Sequence, residues 1–287
     1  MKIKPDFTLI QQQTRRKELE IIFSNCPTKV FSHGLELGAG SGFQSTLLSR
    51  YISRLISTDI NSQRLKLENT ESITYRICDA EEIGSIFDKR QFDIIFSSNL
   101  LEHVRDPQKI LKAIHEILKD DGITIHAIPN PFWKLGNVLL HFPNRCLQTI
   151  ERLTQDGGLQ WLTRKLLRQH QHSFQGSKPM RSENFDNNLK IERRQDSFYK
   201  RIFLPQPHGV STSNLDEFRA FSKHRWGKEF QEAGFDMVAI LKGPISSGYG
   251  LGLNTITELF EKLGLASEYI YVAIKKGHLS PYRQYFH

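Results

Sequence analysis

Leu35-Glu36-Leu37-Gly38-Ala39-Gly40-Ser41-Gly42-Phe43 is the stretch on which the reading of this chain turns. The apolar residues up to Leu37 read as a buried strand, and glycine then occupies every second position. A strand that turns sharply into a helix needs glycine wherever a side chain would strike a ligand or strain the backbone. Such a loop at the carboxyl end of a parallel strand lets a cofactor lie against bare main chain. The spacing is not the dinucleotide fingerprint G-x-G-x-x-G, because Phe43 holds the place of the third glycine and Gly42 comes one residue early. The Glu36 carboxylate just before the turn suits a cationic amino-acid ligand better than a pyrophosphate.

Downstream, the short β-branched runs Leu55–Thr58, Ile73–Ile77, Phe92–Ser97 and Ile123–Ile128 predict further buried parallel strands. Between them lie helical patterns. Residues Pro107–Leu118 place Ile110, Leu111, Ile114 and Leu118 on one face, with Asp106–Pro107 as a start signal and Asp121–Gly122 as a stop. From Pro129 to about Gly209 the alternation lapses. It returns near Ser213: Ser222 is read as the cap of a helix carrying Trp226 and Phe230 and ended by Gly234. A strand Met237–Leu241, a helix Thr255–Leu263 and a last strand Tyr269–Ile274 follow.

Carboxylates stand at the ends of these strands. Asp59 closes the second, where it can accept hydrogen bonds from both ribose hydroxyls. Asp79 follows the third, where it can receive an adenine amino group, and the fourth runs into Ser97-Ser98-Asn99-Leu100-Leu101-Glu102-His103-Val104.

In this order and at these spacings the signals resemble the small-molecule (methyltransferase type 11-like) branch of the class I S-adenosylmethionine-dependent methyltransferase family, over residues of about 30–130. The resemblance implies an α/β fold: a doubly wound, seven-stranded, mostly parallel sheet whose last strand is antiparallel, with a helical insert between strands 5 and 6. It implies S-adenosylmethionine as cofactor, with Gly38, Gly40 and Gly42 beneath its methionine portion, Glu36 toward the amino group, Asp59 on ribose and Asp79 on adenine. Ala39, Ile60, Ala80 and Asn99 complete the implied cofactor shell. The chain then divides into an N-terminal helical segment (1–30), a cofactor-binding core (31–130), a basic, aromatic insert or cap (131–212) and a completion of the sheet (213–287).

Methyl transfer of this kind is mostly geometry, an acceptor atom held in line behind the methyl. A protonated acceptor also needs a base. His103 is the first candidate by location and intrinsic pKa, with His208 and His224 as rivals. Some relatives carry Glu-x-x-Glu-His where this chain has Asn99-x-x-Glu102-His103, and use those side chains as divalent-ion ligands. Asn99 removes one anionic oxygen, so no required metal is expected.

The net charge of +8 is unevenly placed. Residues 1–130 hold 17 Lys+Arg against 17 Asp+Glu, whereas residues 131–201 hold 13 against 6. The basic character therefore belongs to the insert, which also carries Trp133, Phe142, Trp161 and Phe174. Apolar residues among Arg and Lys over 132–170 suit peripheral contact with a membrane surface or a lipid-linked acceptor. Nucleic acid is not the expected acceptor: Ser97-Ser98-Asn99-Leu100 replaces the Asn/Asp-Pro-Pro-aromatic run used on flipped bases, and there is no Pro-Cys nucleophile.

The three cysteines are scattered, no run approaches about 18 apolar residues, and no signal-peptide core forms before Gln11–Gln13, which together suggest a cytoplasmic protein. The expected activity is methyl transfer to a hydroxyl or amine of a small molecule, sugar or lipid-linked glycan. The alternatives are nucleic-acid methylation, or a non-catalytic cofactor-binding module of the same fold.

Overall fold

The alternation of buried runs and amphipathic stretches resolves, in a computed structural model, into one seven-stranded sheet. The structure describes residues 7–65, 67–138, 218–245 and 254–286. The chain divides into two compact units, one of residues 1–3 and 136–206, the other of residues 4–135 and 207–287. The sheet and every site residue discussed below belong to the second.

In chain order, the elements of that unit are α1 (Phe7–Ile22), β1 (Phe31–Leu37), α2 (Phe43–Leu48), β2 (Ile52–Asp59), β3 (Ile73–Ile77), α3 (Ile83–Ile86), β4 (Phe92–Ser98), α4 (Pro107–Ile117) and β5 (Leu118–Pro129). After residue 217 come α5 (Lys223–Glu232), β6 (Phe235–Lys242), α6 (Asn254–Lys262) and β7 (Glu268–Lys275). The strand order is β3-β2-β1-β4-β5-β7-β6, parallel from β3 to β5, with β7 antiparallel to both its neighbours. The sheet is therefore the expected doubly wound one. Its order reverses beside β1, the switch point where such sheets bind ligands at the carboxyl ends of their strands.

Both faces of the sheet are buried, which is why its strands read as near-continuous apolar runs. Residues that alternate along β4 and β7 sort to opposite cores. Ile95, Tyr271 and Ala273 pack with Ile110, Leu111 and Ile114 of α4 and with Trp226 and Phe230 of α5. Ile94, Phe96, Ile270, Val272 and Ile274 pack with Leu19 and Ile22 of α1 and Leu48 of α2. Two helix starts follow the expected chemistry. Asp106 accepts from the Lys109 amide at 3.0 Å, and Ser222 from the Arg225 amide at 3.3 Å.

One boundary differs from expectation. Asp121–Gly122 does not stop α4; the helix ends at Ile117, and Leu118 already pairs with Phe92 as the start of β5. Gly122 lies inside that strand, where a Cβ would sit 3.1 Å from the Asp93 carbonyl oxygen. Close approach of two backbones, not a turn, calls for glycine there.

Candidate functional site

The glycine turn after β1 takes the backbone through the left-handed region, with φ of +76° at Gly38, +57° at Gly40 and +74° at Gly42. Any other residue would be strained there. Asp59, the last residue of β2, ties this turn down. Its Oδ2 accepts the Gly40 N–H and its Oδ1 the Asn61 N–H, both at 2.8 Å. Asp79 does the same for the chain after β3, its Oδ1 accepting the Glu81 N–H at 2.9 Å to open a short 3-10 turn.

Between these loops, at the carboxyl ends of β1 to β4, lies a cavity of about 530 Å³. Its wall includes Gly38, Asp59, Ile60, Cys78, Asp79, Ala80, Leu100 and His103. The volume falls in the range of about 300–1,000 Å³ typical of small-molecule sites. A Cβ on Gly38 would come within 3.2 Å of Leu100 Cδ1, so the bare backbone at Gly38 keeps that side of the wall open. Ile60, 67% exposed at the rim, offers an apolar face to a flat ring.

Of the residues expected to bind cofactor, the structure gathers Gly38, Asp59, Ile60, Asp79 and Ala80 in this wall. Glu36, Ala39, Gly40, Gly42 and Asn99 are not part of it. Glu36 is buried beneath the turn, and its Oε2 accepts the Ser45 hydroxyl of α2 and, at 2.8 Å, the Ser57 hydroxyl of β2. Burial pushes its pKa up to about 7, against those two hydrogen bonds, which hold it down. Glu36 thus faces the scaffold of the turn, not the cavity.

Among the candidate bases, His103 is in the wall, half exposed, with its Nε2 3.7 Å from Glu102 Oε1. His224 is exposed on α5 and is not in the wall. His208, and most of the 132–170 stretch expected to meet a membrane, lie outside the described residues. No helix among the described residues is long and apolar enough to cross a membrane. Nor do the described residues include a group of three His, Cys, Asp or Glu placed to hold a metal ion.

A second polar assembly adjoins the cavity, and no local pattern announces it beyond an Arg15/Glu18 pair at helical spacing. Arg15 of α1, partly buried, reaches the end of β4 and the start of β7. The guanidinium pairs with Glu18, donates to Ser98 Oγ at 2.8 Å, and lies 3.5 Å from Glu268 Oε2 at the start of β7. With its amide oxygen toward Arg15, Asn99 accepts from both terminal guanidinium nitrogens, at 2.7 and 2.6 Å. Asn99 adopts a φ of +50°, one of the few non-glycine types that tolerates this. Burial and the Glu18 charge hold Glu268 well above the usual carboxylate range.

Comparison with known proteins agrees with this geometry. Residues 35–126 match the family described as methyltransferase domain. Over 131 residues the chain is 30% identical to the mitochondrial arginine-hydroxylase NDUFAF5 of Danio rerio, covering 45% of this chain and 39% of that protein. Over 102 residues it is 29% identical to the ubiquinone biosynthesis O-methyltransferase of Ruegeria pomeroyi, covering 33% of this chain and 40% of that protein. The chain therefore spans about two fifths of the length of these curated relatives. A solved complex of the Haloferax volcanii Trm112 methyltransferase activator and its methyltransferase contains a chain that matches with a TM-score of 0.53 at 12% identity, covering 94% of this chain and 95% of that one. This last likeness shows the fold.

Sheet order, glycine turn and family match together define the class: residues 35–126 are a methyltransferase domain of the class I S-adenosylmethionine-dependent family. S-adenosylmethionine is the cofactor of that family.

Proposed function

We propose that this chain transfers a methyl group from S-adenosylmethionine to a hydroxyl or amine of a small acceptor. The observation that carries the reading is the cavity bounded by Gly38, Asp59 and Asp79 at the switch point of the sheet. Its donor set fits the cofactor. Each oxygen of Asp59 spends one lone pair on a backbone amide and keeps another for a ribose hydroxyl. Asp79 retains an acceptor oxygen for an adenine amino group, and Ile60 and Ala80 flank the place of the ring.

When bound, the cofactor supplies a methyl on a sulfonium, with a neutral thioether as leaving group. This chain's own residues then have three tasks: to hold the nucleoside, to keep the acceptor in line, and to accept the acceptor's proton. Asp59 and the turn it braces serve the first. The second and third fall to the loop after β4, which gives Leu100, His103, Val104 and Arg105 to the cavity wall.

Calorimetry with S-adenosylmethionine and S-adenosylhomocysteine, with NAD as control, tests the cofactor assignment. Binding of both and not of NAD is expected. Binding of NAD alone would overturn it.

A second reading has one specific observation behind it. A relative that matches 45% of this chain over 39% of its own length is named an arginine-hydroxylase. Mass spectrometry of a modified acceptor separates the two, because methyl transfer adds a methylene unit and hydroxylation adds an oxygen atom. Nucleic acid remains the less favoured acceptor, since the loop after β4 lacks the segment that holds a flipped base.

A further inference from the structure

We propose that Arg15 is a positioning residue for the nucleoside cavity: by gripping Asn99 it fixes the bend that sets the loop after β4 against the cofactor site. This rests on the methyltransferase reading above and deepens it, naming the residue of α1 that shapes that site.

β4 ends at Ser98, and the next residue, Asn99, has a φ of +50°. The Asn99 N–H is tied to the Ala127 carbonyl of β5 at 2.9 Å, so the main chain reaches Asn99 at a fixed place and its dihedral decides where it goes next. Leu100 follows, packed so near the glycine turn that a Cβ on Gly38 would lie 3.2 Å from its Cδ1. The Leu100 carbonyl then accepts the His103 N–H at 2.9 Å across a single 3-10 turn, Leu101–His103. Leu100, His103, Val104 and Arg105 all line the cavity. One left-handed residue thus directs four residues of the wall.

A non-glycine residue at positive φ persists only where its surroundings hold it. Asn is enriched there several-fold over the few per cent typical of other residues, which still leaves an unheld Asn left-handed on the order of one time in ten. Asn99 is held by its side chain. With the amide oxygen toward Arg15, it accepts from both terminal guanidinium nitrogens, at 2.7 and 2.6 Å. Arg15 is itself fixed by Glu18, by Ser98 Oγ at 2.8 Å and by Glu268 Oε2 at 3.5 Å. Neither Arg15 nor Asn99 is part of the cavity wall, so the pair acts through Leu100 and the turn after it. Ligand affinity falls with the fraction of protein in the competent conformation, so releasing Asn99 should cost about tenfold.

Calorimetry with S-adenosylhomocysteine provides the test, on the full chain at a temperature where each variant is folded. Arg15→Met is expected to lose about tenfold in affinity. Adding Asn99→Gly to it should recover about threefold or more, because glycine enters positive φ as readily as negative. That recovery is what a merely structural role would not give: the glycine restores no contact and leaves the chain less constrained. Lys119→Met is the control. It breaks the 2.6 Å pair with Asp93 at the amino ends of β5 and β4, and should lower stability while affinity stays within about twofold.

Asn99→Ala and Asn99→Gly carry the test with Arg15 in place, should Arg15→Met not fold. Both remove the gripped side chain, and only glycine takes the left-handed backbone freely. Asn99→Gly is therefore expected to bind at least about threefold more tightly than Asn99→Ala.

Parent affinity in Arg15→Met would overturn the proposal, as would a double variant that binds no more tightly than Arg15→Met. Equal binding by Asn99→Ala and Asn99→Gly would do the same, and so would a Lys119→Met variant that loses affinity as Arg15→Met does. Failure of the parent protein to bind S-adenosylhomocysteine at all would instead defeat the methyltransferase reading.

Discussion

Asp59 Oδ2 accepts the Gly40 amide at 2.8 Å, so the last residue of β2 holds the middle of the turn that follows β1. One carboxylate thereby braces the backbone on which a cofactor would lie and faces the cavity in which its ribose would sit. Replacing Asp59 by Ala should act on both. Two amides, Gly40 and Asn61, lose a charged acceptor worth roughly 1.5–3 kcal/mol each, less what water recovers at this half-exposed site. The expected outcome is at least about a tenfold loss of S-adenosylmethionine affinity and a lower unfolding midpoint in urea. Unchanged affinity in calorimetry would show that Asp59 does not touch the nucleoside.

Gly40 and Gly42 separate backbone strain from side-chain collision. Both have positive φ, but a Cβ on Gly40 meets nothing within 4 Å, whereas one on Gly42 would collide with Leu67 Cδ1. Gly40→Ala should cost about 1–2 kcal/mol through the left-handed backbone alone. Gly42→Ala should cost more, and the excess should disappear in a Leu67→Ala background. Because Leu67 is 44% exposed and free to swing away, the coupling in a double-mutant cycle should be small, about 0.5–1 kcal/mol.

Glu102 makes stability depend on pH in a stated direction. Its folded pKa is raised to about 8 from an unfolded 4.5, so the folded protein holds the proton more tightly. Its contribution is complete below about pH 4.5 and is lost as pH rises through 8. Glu102→Gln should therefore raise the melting temperature relative to the parent, increasingly from pH 5 to pH 8.5. A difference that stays constant over that range would show that Glu102 is solvated.

His126 works in the opposite sense. It is buried in β5 between Ser97 Oγ, 2.7 Å from Nδ1, and Thr124 Oγ1, 2.6 Å from Nε2, and burial lowers its pKa to about 3. The unfolded chain takes up a proton near pH 6.5 that the folded one refuses, so stability falls as pH drops below about 6.5. His126→Gln should move the acid-unfolding midpoint to lower pH. At pH 7 it should cost roughly 1–3 kcal/mol for the disrupted hydrogen bonds. Circular dichroism across an acid titration measures both.

Arg15 joins α1 to β4 and β7, and its removal should be among the more damaging single changes. Arg15→Met leaves Glu18 and Glu268 buried without their cation, a loss of about 3–5 kcal/mol. Arg15→Lys should rescue little, because a point-like ammonium cannot span Glu18, Ser98 and Asn99 together as the guanidinium fork does. Urea unfolding of both variants provides the measurement.

Much of the cavity wall was legible before any coordinates. The glycines of the turn, Asp59 and Asp79 follow from where buried strands end, and Asp59, Asp79, Ile60 and Ala80 do meet in one cavity wall. The Gly38, Gly40 and Gly42 positions have the φ values that only glycine adopts readily. The expectation for Asp121–Gly122 failed because a glycine that admits a neighbouring backbone looks the same in sequence as one that ends a helix. Glu36 and Asn99 were expected toward the cofactor, yet one turns to Ser45 and Ser57 and the other to Arg15. Their partners stand on other elements, and no local spacing reveals which way a side chain will face.

By itself the sequence determined most of the strands, two helix starts and the glycine turn, because periodicity, capping and left-handed backbone are properties of a few consecutive residues; the winding of the sheet came from the family resemblance. Only the tertiary structure decided the environment of Glu102, Glu268 and Arg15. Charge in a protein is governed by what excludes water and what pairs across space. For these residues that depends on α1 and β7, which come together from opposite ends of the chain.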